Sequence, residues 1–203
     1  MSMNFHSNGF IVKSIDNNQE TYLGVDGDCW NIDEDTEGLE KQDRDYIKKY
    51  ISQTIATSWL DEQAIDACCD LSFVNKYIKA CINAKIDFQV LFCKTNRTKP
   101  SYLWNINEDT PENFRFIGFD YAYPGGSFYS CVFSDLYTKR IPELSFVGLN
   151  EHGLIPSEEL LKQFIERRNE LIEKDRVGRF EQGAFATYKL WQYTGEYPIN
   201  LNY

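Results

Sequence analysis

Apolar and polar positions change their period several times along the chain, and each change marks an element. Near the start, Phe10-Ile11-Val12 and Thr21-Tyr22-Leu23-Gly24-Val25 flank the polar stretch Asp16-Asn17-Asn18-Gln19. That pattern predicts a β-hairpin over residues 9–25. Between 43 and 59 the apolar positions Ile47, Tyr50, Ile51, Ile55 and Trp59 recur every three or four residues. They build one stripe of a helix, with Lys48 and Lys49 on its other side. A second helical stretch runs over 61–84, through Ala64, Ile65, Cys68, Leu71, Phe73, Val74, Tyr77, Ile78, Cys81 and Ile82. Asp70-Leu71-Ser72 offers a break in it, with Asp70 or Ser72 capping the second piece.

The period then shortens. Ile86 to Cys93 begins with alternation and ends as an apolar run, which predicts a strand that becomes buried. Asn96 to Pro100 reads as a turn and Tyr102-Leu103-Trp104 as a short strand. Phe114 to Tyr121 is a strand, Pro124-Gly125-Gly126 a tight turn, and Ser127 to Phe133 its hairpin partner. Leu144 to Leu149 suggests one more extended segment. A long helix follows Pro156, with Ser157 as N-cap, Glu158 and Glu159 at its positive end, and a stripe of Leu160, Leu161, Phe164, Ile165, Leu171 and Ile172. Phe185 to Tyr193 alternates as a last strand, and Thr194 to Tyr203 is a polar tail. Helices do not alternate one-for-one with strands. The order therefore predicts an α+β fold, a mainly antiparallel sheet packed against several helices. One domain spanning 1–203 is expected, with residues 26–45 as an acidic loop or surface segment within it.

Composition sharpens this picture at two points. Aromatic residues make up 15% of the 203 residues, which places the chain among folding sequences rather than disordered ones. The formal charge is −10, and it is unevenly spread. Residues 1–45 contain 11 acids and 3 bases, a balance of −8, whereas the other 158 residues contain 20 acids and 18 bases, a balance of −2. This asymmetry disfavours nucleic acid or an anionic membrane as partner, since both attract a positive surface. No apolar run approaches membrane-spanning length and no secretory signal opens the chain, so a cytoplasmic protein is expected. Its six cysteines are then reduced thiols, several of them core residues.

Residues able to carry chemistry are sparse. The acidic stretch Asp26 to Asp35 lacks the oxygen spacing of an EF-hand, and a solvated or partner-facing surface accounts for it better than a cation site. Zinc is unsupported: Cys68 and Cys69 are adjacent rather than spaced for chelation, and His6 and His152 are the two histidines. No nucleophile elbow, metalloprotease helix, phosphate loop or dinucleotide motif occurs, so neither cofactor nor metal is expected. Asp120, Cys131 and His152 form the one catalytic grouping worth weighing, as a small cleft of an uncharacterised enzyme. The ordinary reading of Cys131 is an inert thiol in an apolar strand, and that of Asp120 a turn-stabilising hydrogen bond to Ser130. Arg167, Arg168, Lys174, Arg176 and Arg179 alternate with Glu166, Glu170, Glu173 and Asp175, as in a solvated helix laced with ion pairs. Trp30-Asn31-Ile32-Asp33-Glu34-Asp35-Thr36 and Trp104-Asn105-Ile106-Asn107-Glu108-Asp109-Thr110 agree at six of seven positions. Their surroundings differ, which favours a repeated turn solution over a duplicated domain.

The run Phe116-Ile117-Gly118-Phe119-Asp120-Tyr121, followed by Ser127-Phe128-Tyr129-Ser130, resembles a segment of bacterial immunity proteins of polymorphic toxin systems. There a Gly-Tyr-Asp strand is followed, after a turn, by a Ser-rich strand, and a late aromatic strand is similar to Phe185 to Trp191. Phe119 stands here in place of Tyr, and the turn is Pro124-Gly125-Gly126 rather than acidic. The resemblance implies a non-catalytic cytosolic inhibitor that binds a cognate toxin. An acidic surface suits a basic toxin domain, and aromatic anchors would supply affinity. The expected partner-binding residues are Asp26, Asp28, Trp30, Asp33, Glu34, Asp35, Glu108, Asp109, Tyr121 and Tyr123. Monomer and dimer both remain open.

Overall fold

The structure, a computed structural model, describes residues 3–14, 22–25, 38–58, 70–97, 109–125, 127–174 and 185–200. Its strands are β1 (His6–Ser14), β2 (Phe88–Thr95), β3 (Phe114–Gly125), β4 (Ser127–Ser130) and β5 (Ala186–Tyr193). They form one sheet in the order β1-β2-β5-β3-β4. Every pairing is antiparallel. The helices are α1 (Lys41–Ser58), α2 (Leu71–Ala84) and α3 (Glu158–Glu173). The architecture is therefore α+β, an antiparallel five-stranded sheet against a few helices.

Alternation along the strands sorts side chains onto two faces. Phe10, Phe92, Trp191 and Phe116 are successive cross-strand partners and share one face. There Phe10, Val12, Val90, Phe92, Trp191 and Tyr193 pack against Ile47 of α1 and Phe73, Val74, Tyr77, Ile78 and Cys81 of α2. Phe119 and Tyr121 continue that face toward β4 and meet the α3 layer, where Leu161, Phe164 and Leu171 are buried. The opposite face carries Ile11, Leu91, Cys93, Tyr188 and Leu190, covered by Val25 and Leu154. Cover on both faces explains the unbroken apolar run of β2. Cys81, Cys93 and Cys131 are free and buried in these clusters.

Helix ends follow local chemistry. Asp70 caps α2 by accepting the Phe73 N–H at 3.1 Å, and Ser157 caps α3 by accepting the Leu160 N–H at 3.3 Å. Lys85 closes α2 in the left-handed conformation, its N–H reaching the Cys81 and Ile82 carbonyls.

The structure corrects four sequence expectations. β1 does not pair with residues 22–25; it pairs with β2, from His6↔Thr95 to Ser14↔Phe88, because β2 offers a matching apolar face. The strand after the 124–126 turn ends at Ser130, and Val132–Tyr137 winds into a π-helical turn. Ser130 Oγ starts that turn by accepting the Phe133 N–H at 3.0 Å. No strand forms over 144–149: Leu144 ends the short 3-10 turn Pro142–Leu144, and turn and coil follow. The tail returns to the core: Ile199 is buried, and Asn75 of α2 holds its N–H and carbonyl at 2.8 and 3.0 Å. The expected strand at 102–104 and both Trp-Asn-Ile segments lie outside the described residues, apart from Asp109 and Thr110.

Candidate functional site

The densest polar cluster surrounds Asp120 on β3. Asp120 and Ser130 are fully buried. The hydrogen bond expected between them is present, with Ser130 Oγ donating to Asp120 Oδ1 at 2.6 Å. Three further groups meet the same carboxyl. The Tyr121 N–H reaches Oδ1 at 2.7 Å, and the Tyr22 hydroxyl and the Val25 N–H reach Oδ2 at 2.5 and 2.7 Å. Burial pushes the Asp120 carboxyl above the ordinary aspartate value, outweighing the lowering by Ser130, Tyr22, Tyr121 and Val25.

This cluster fastens the segment 22–25 to the sheet. Leu23 N–H donates to the His152 carbonyl at 2.9 Å, and Lys13 Nζ donates to the Gly24 carbonyl at 2.5 Å. Gly24 is needed for close approach, since a Cβ there would overlap the Tyr22 phenol and Asp120 Oδ2. The 150–155 loop is itself held on β3. Asn150 Nδ2 donates to the Ile117 carbonyl at 2.6 Å, and Ile155 exchanges both backbone hydrogen bonds with Phe119. A β-bulge between Phe116 and Gly118 admits that loop. Gly118 has φ +143°, and a Cβ on it would come within 2.7 Å of Leu154 Cβ.

The three residues of the enzyme grouping occupy different settings. Asp120 is engaged with Tyr22 and Ser130. Cys131 is buried in the α3 cluster with Val132 and Phe164, beside Tyr121. His152 is partly exposed, with Nε2 3.6 Å from the Glu151 carboxylate.

Of the expected partner-binding residues, the structure brings Tyr121 and Tyr123 together through Phe185. Tyr121 stacks on Phe185 at 5.2 Å, and Tyr123 meets the ring edge-on at 5.8 Å. Tyr123 is 40% exposed and Tyr121 half-buried, with burial raising the Tyr121 phenol. Asp109 is exposed and precedes β3. Asp26, Asp28, Trp30, Asp33, Glu34, Asp35 and Glu108 lie outside the described residues.

Sequence reasoning missed two cationic features. Arg168 is not solvated; it is 1% exposed. Its Nε donates to Asp135 Oδ2 at 3.0 Å, and its guanidinium lies 4.7 Å from the Phe185 ring centre. Lys189 on β5 has its ammonium 5.3 to 6.0 Å from the ring centres of Phe5, Phe116, Phe119 and Trp191. Phe116 is 38% exposed there. The alternation of β5 signals that Lys189 shares a face with Trp191, but not that β3 delivers Phe116 and Phe119 beside it.

Among the described residues no group of three or more His, Cys, Asp or Glu could hold a metal ion, and no helix is long and apolar enough to cross a membrane. Compared with protein-family models, curated proteins and solved structures, the chain matches none.

Proposed function

We propose that this chain is a non-catalytic cytosolic binding protein, an immunity protein that inhibits a cognate bacterial toxin with a basic surface. The observation that carries the reading is charge placement: −8 within residues 1–45, against −2 in the remainder. A concentrated negative field raises the encounter rate with a basic protein and rejects acidic ones. Two features of the fold support it. Val25 and Leu39, on either side of the acidic residues 26–37, are 1% and 5% exposed, so both roots of the run are anchored in core. Fixed roots reduce the freedom that association would remove. The Tyr121–Phe185–Tyr123 group adds an aromatic anchor of the kind that dominates interface energies.

The test uses purified toxin domains with basic surfaces, screened first for binding to this chain. Asp26, Asp28, Asp33, Glu34 and Asp35 are replaced together by their amides, and association is followed by stopped flow at several salt concentrations. The association rate should fall roughly 10-fold or more, with a flatter salt dependence. Unchanged kinetics in a variant of unchanged circular dichroism would reject the acidic surface. No inhibition of the toxin by the wild-type chain would reject the function.

A further inference from the structure

We propose that Asp120, Ser130 and Tyr22 form a buried ring that binds one proton at neutral pH, keeping Asp120 as a carboxylic acid that fastens residues 22–25 to the sheet. A count of hydrogens carries the argument. Three oxygen–oxygen contacts close the ring: Ser130 Oγ to Asp120 Oδ1 at 2.6 Å, Tyr22 Oη to Asp120 Oδ2 at 2.5 Å, and Tyr22 Oη to Ser130 Oγ at 2.7 Å. At these lengths each pair needs a hydrogen between its oxygens. Serine and tyrosine supply one each, and an ionised carboxylate supplies none. With Asp120 ionised, one contact would set lone pair against lone pair inside the protein. With Asp120 protonated, all three contacts are hydrogen-bonded in a single direction around the ring.

The remaining valences agree with that count. Oδ1 also accepts the Tyr121 N–H, Oδ2 the Val25 N–H, and Ser130 Oγ the Phe133 N–H. These three are backbone donors and cannot reverse, so the ring hydrogens have to come from the side chains. Burial acts in the same direction, because a neutral acid is cheaper to enclose than an anion.

Charged and titratable groups surround the ring from several elements. Lys13 of β1 lies 5.4 Å from the Tyr22 ring centre and directs its ammonium at the Gly24 carbonyl. Tyr188 of β5 is the cross-strand partner of Asp120. Tyr121 follows Asp120 on β3, Tyr137 of the π-helical turn packs against the Tyr22 ring at 5.5 Å, and His152 accepts the Leu23 N–H through its carbonyl. Lys13 is the basic side chain whose ammonium would favour ionisation.

The inference does not rest on toxin binding. Its test is a carbon NMR titration of the Asp120 carboxyl in the whole wild-type chain, assigned by specific labelling. At about pH 7, where an ordinary aspartate is ionised, Asp120 should still show the acid form. A carboxylate signal there would overturn the proposal. A second readout compares wild type with Asp120→Asn. A proton kept in the folded chain and lost from the unfolded one stabilises fully below the ordinary aspartate value of 3.8, and less as pH climbs to the folded value. Wild-type stability minus that of the variant should therefore fall from about pH 4 upward, whatever its starting sign. A constant or rising difference would sink the idea, and should the variant not fold, the wild-type titration decides alone.

Discussion

Arg168 occupies a position whose burial is written in its spacing rather than in its chemistry. Leu161, Phe164, Arg168 and Leu171 step by three, four and three residues, so a continuous stripe of α3 turns Arg168 inward with its neighbours. Its neighbour Arg167 lies off that stripe and makes the expected exposed pair with Glu170 at 2.6 Å. Inside, Asp135 and Arg168 are 0% and 1% exposed in their side chains, and each loses a buried ion-pair partner when the other is removed. Arg168→Ala should destabilise the protein by about 3–5 kcal/mol in urea unfolding, and Asp135→Ala by a similar amount. Replacing both with apolar residues of matched volume should cost much less, because no lone charge remains. An Arg168→Ala cost no larger than that of an exposed pair would contradict this account. At Gly24 the constraint is room rather than charge. Gly24→Ala should lower stability by about 1–3 kcal/mol, since its methyl displaces Tyr22 from Asp120. Spacing alone pointed to neither Tyr22 nor Gly24 as partners of Asp120, which lie about a hundred residues earlier in the chain.

Among the elements, the helices were the most legible. The apolar stripe, the acid pair Glu158 and Glu159 and the Ser157 cap together announce α3, and all depend on neighbours within four residues. Asp70 marks the start of α2 for the same reason. It accepts the Phe73 N–H and also the Tyr50 hydroxyl of α1 at 3.0 Å, beside a Tyr50–Phe73 stack at 3.8 Å. Asp70→Ala should reduce thermal stability by about 1 kcal/mol, and Asp70→Asn by less, because asparagine keeps the cap. Strand partners were less legible. Alternation identified β1 as a strand but did not reveal that β2, whose Phe88 lies 74 residues beyond Ser14, would complete it; the register is read only from the folded sheet. Residues 131–133 read as the end of a strand because Cys131, Val132 and Phe133 are apolar, yet Ser130 captures the Phe133 N–H and turns the chain into a helical path.

For the whole molecule, the sheet separates two kinds of cover. Helices α1, α2 and α3 lie on the face of Trp191 and Phe119, whereas residues 22–25 and the 150–155 loop close the other. The second cover depends on few polar bonds, and the Asp120 ring is the largest of them. Ser130→Ala should therefore weaken the closure of residues 22–25 before it weakens the helical face. Hydrogen exchange should show faster opening at Leu23 and Val25 while α2 amides keep their protection. Equal acceleration in both regions would mean that the two covers open as one unit.

The α+β class, the helices α2 and α3 with their caps and the weight of negative charge before residue 46 were determined by the sequence itself, because each depends on residue type and on neighbours a few positions away. The pairing of β1 with β2, the inward ion pair of Arg168 and Asp135, the ring around Lys189 and the convergence of Tyr22, Asp120 and Ser130 were decided only by tertiary structure. Each joins residues distant in the chain, and local patterns carry no record of which distant partner will remove a given side chain from water.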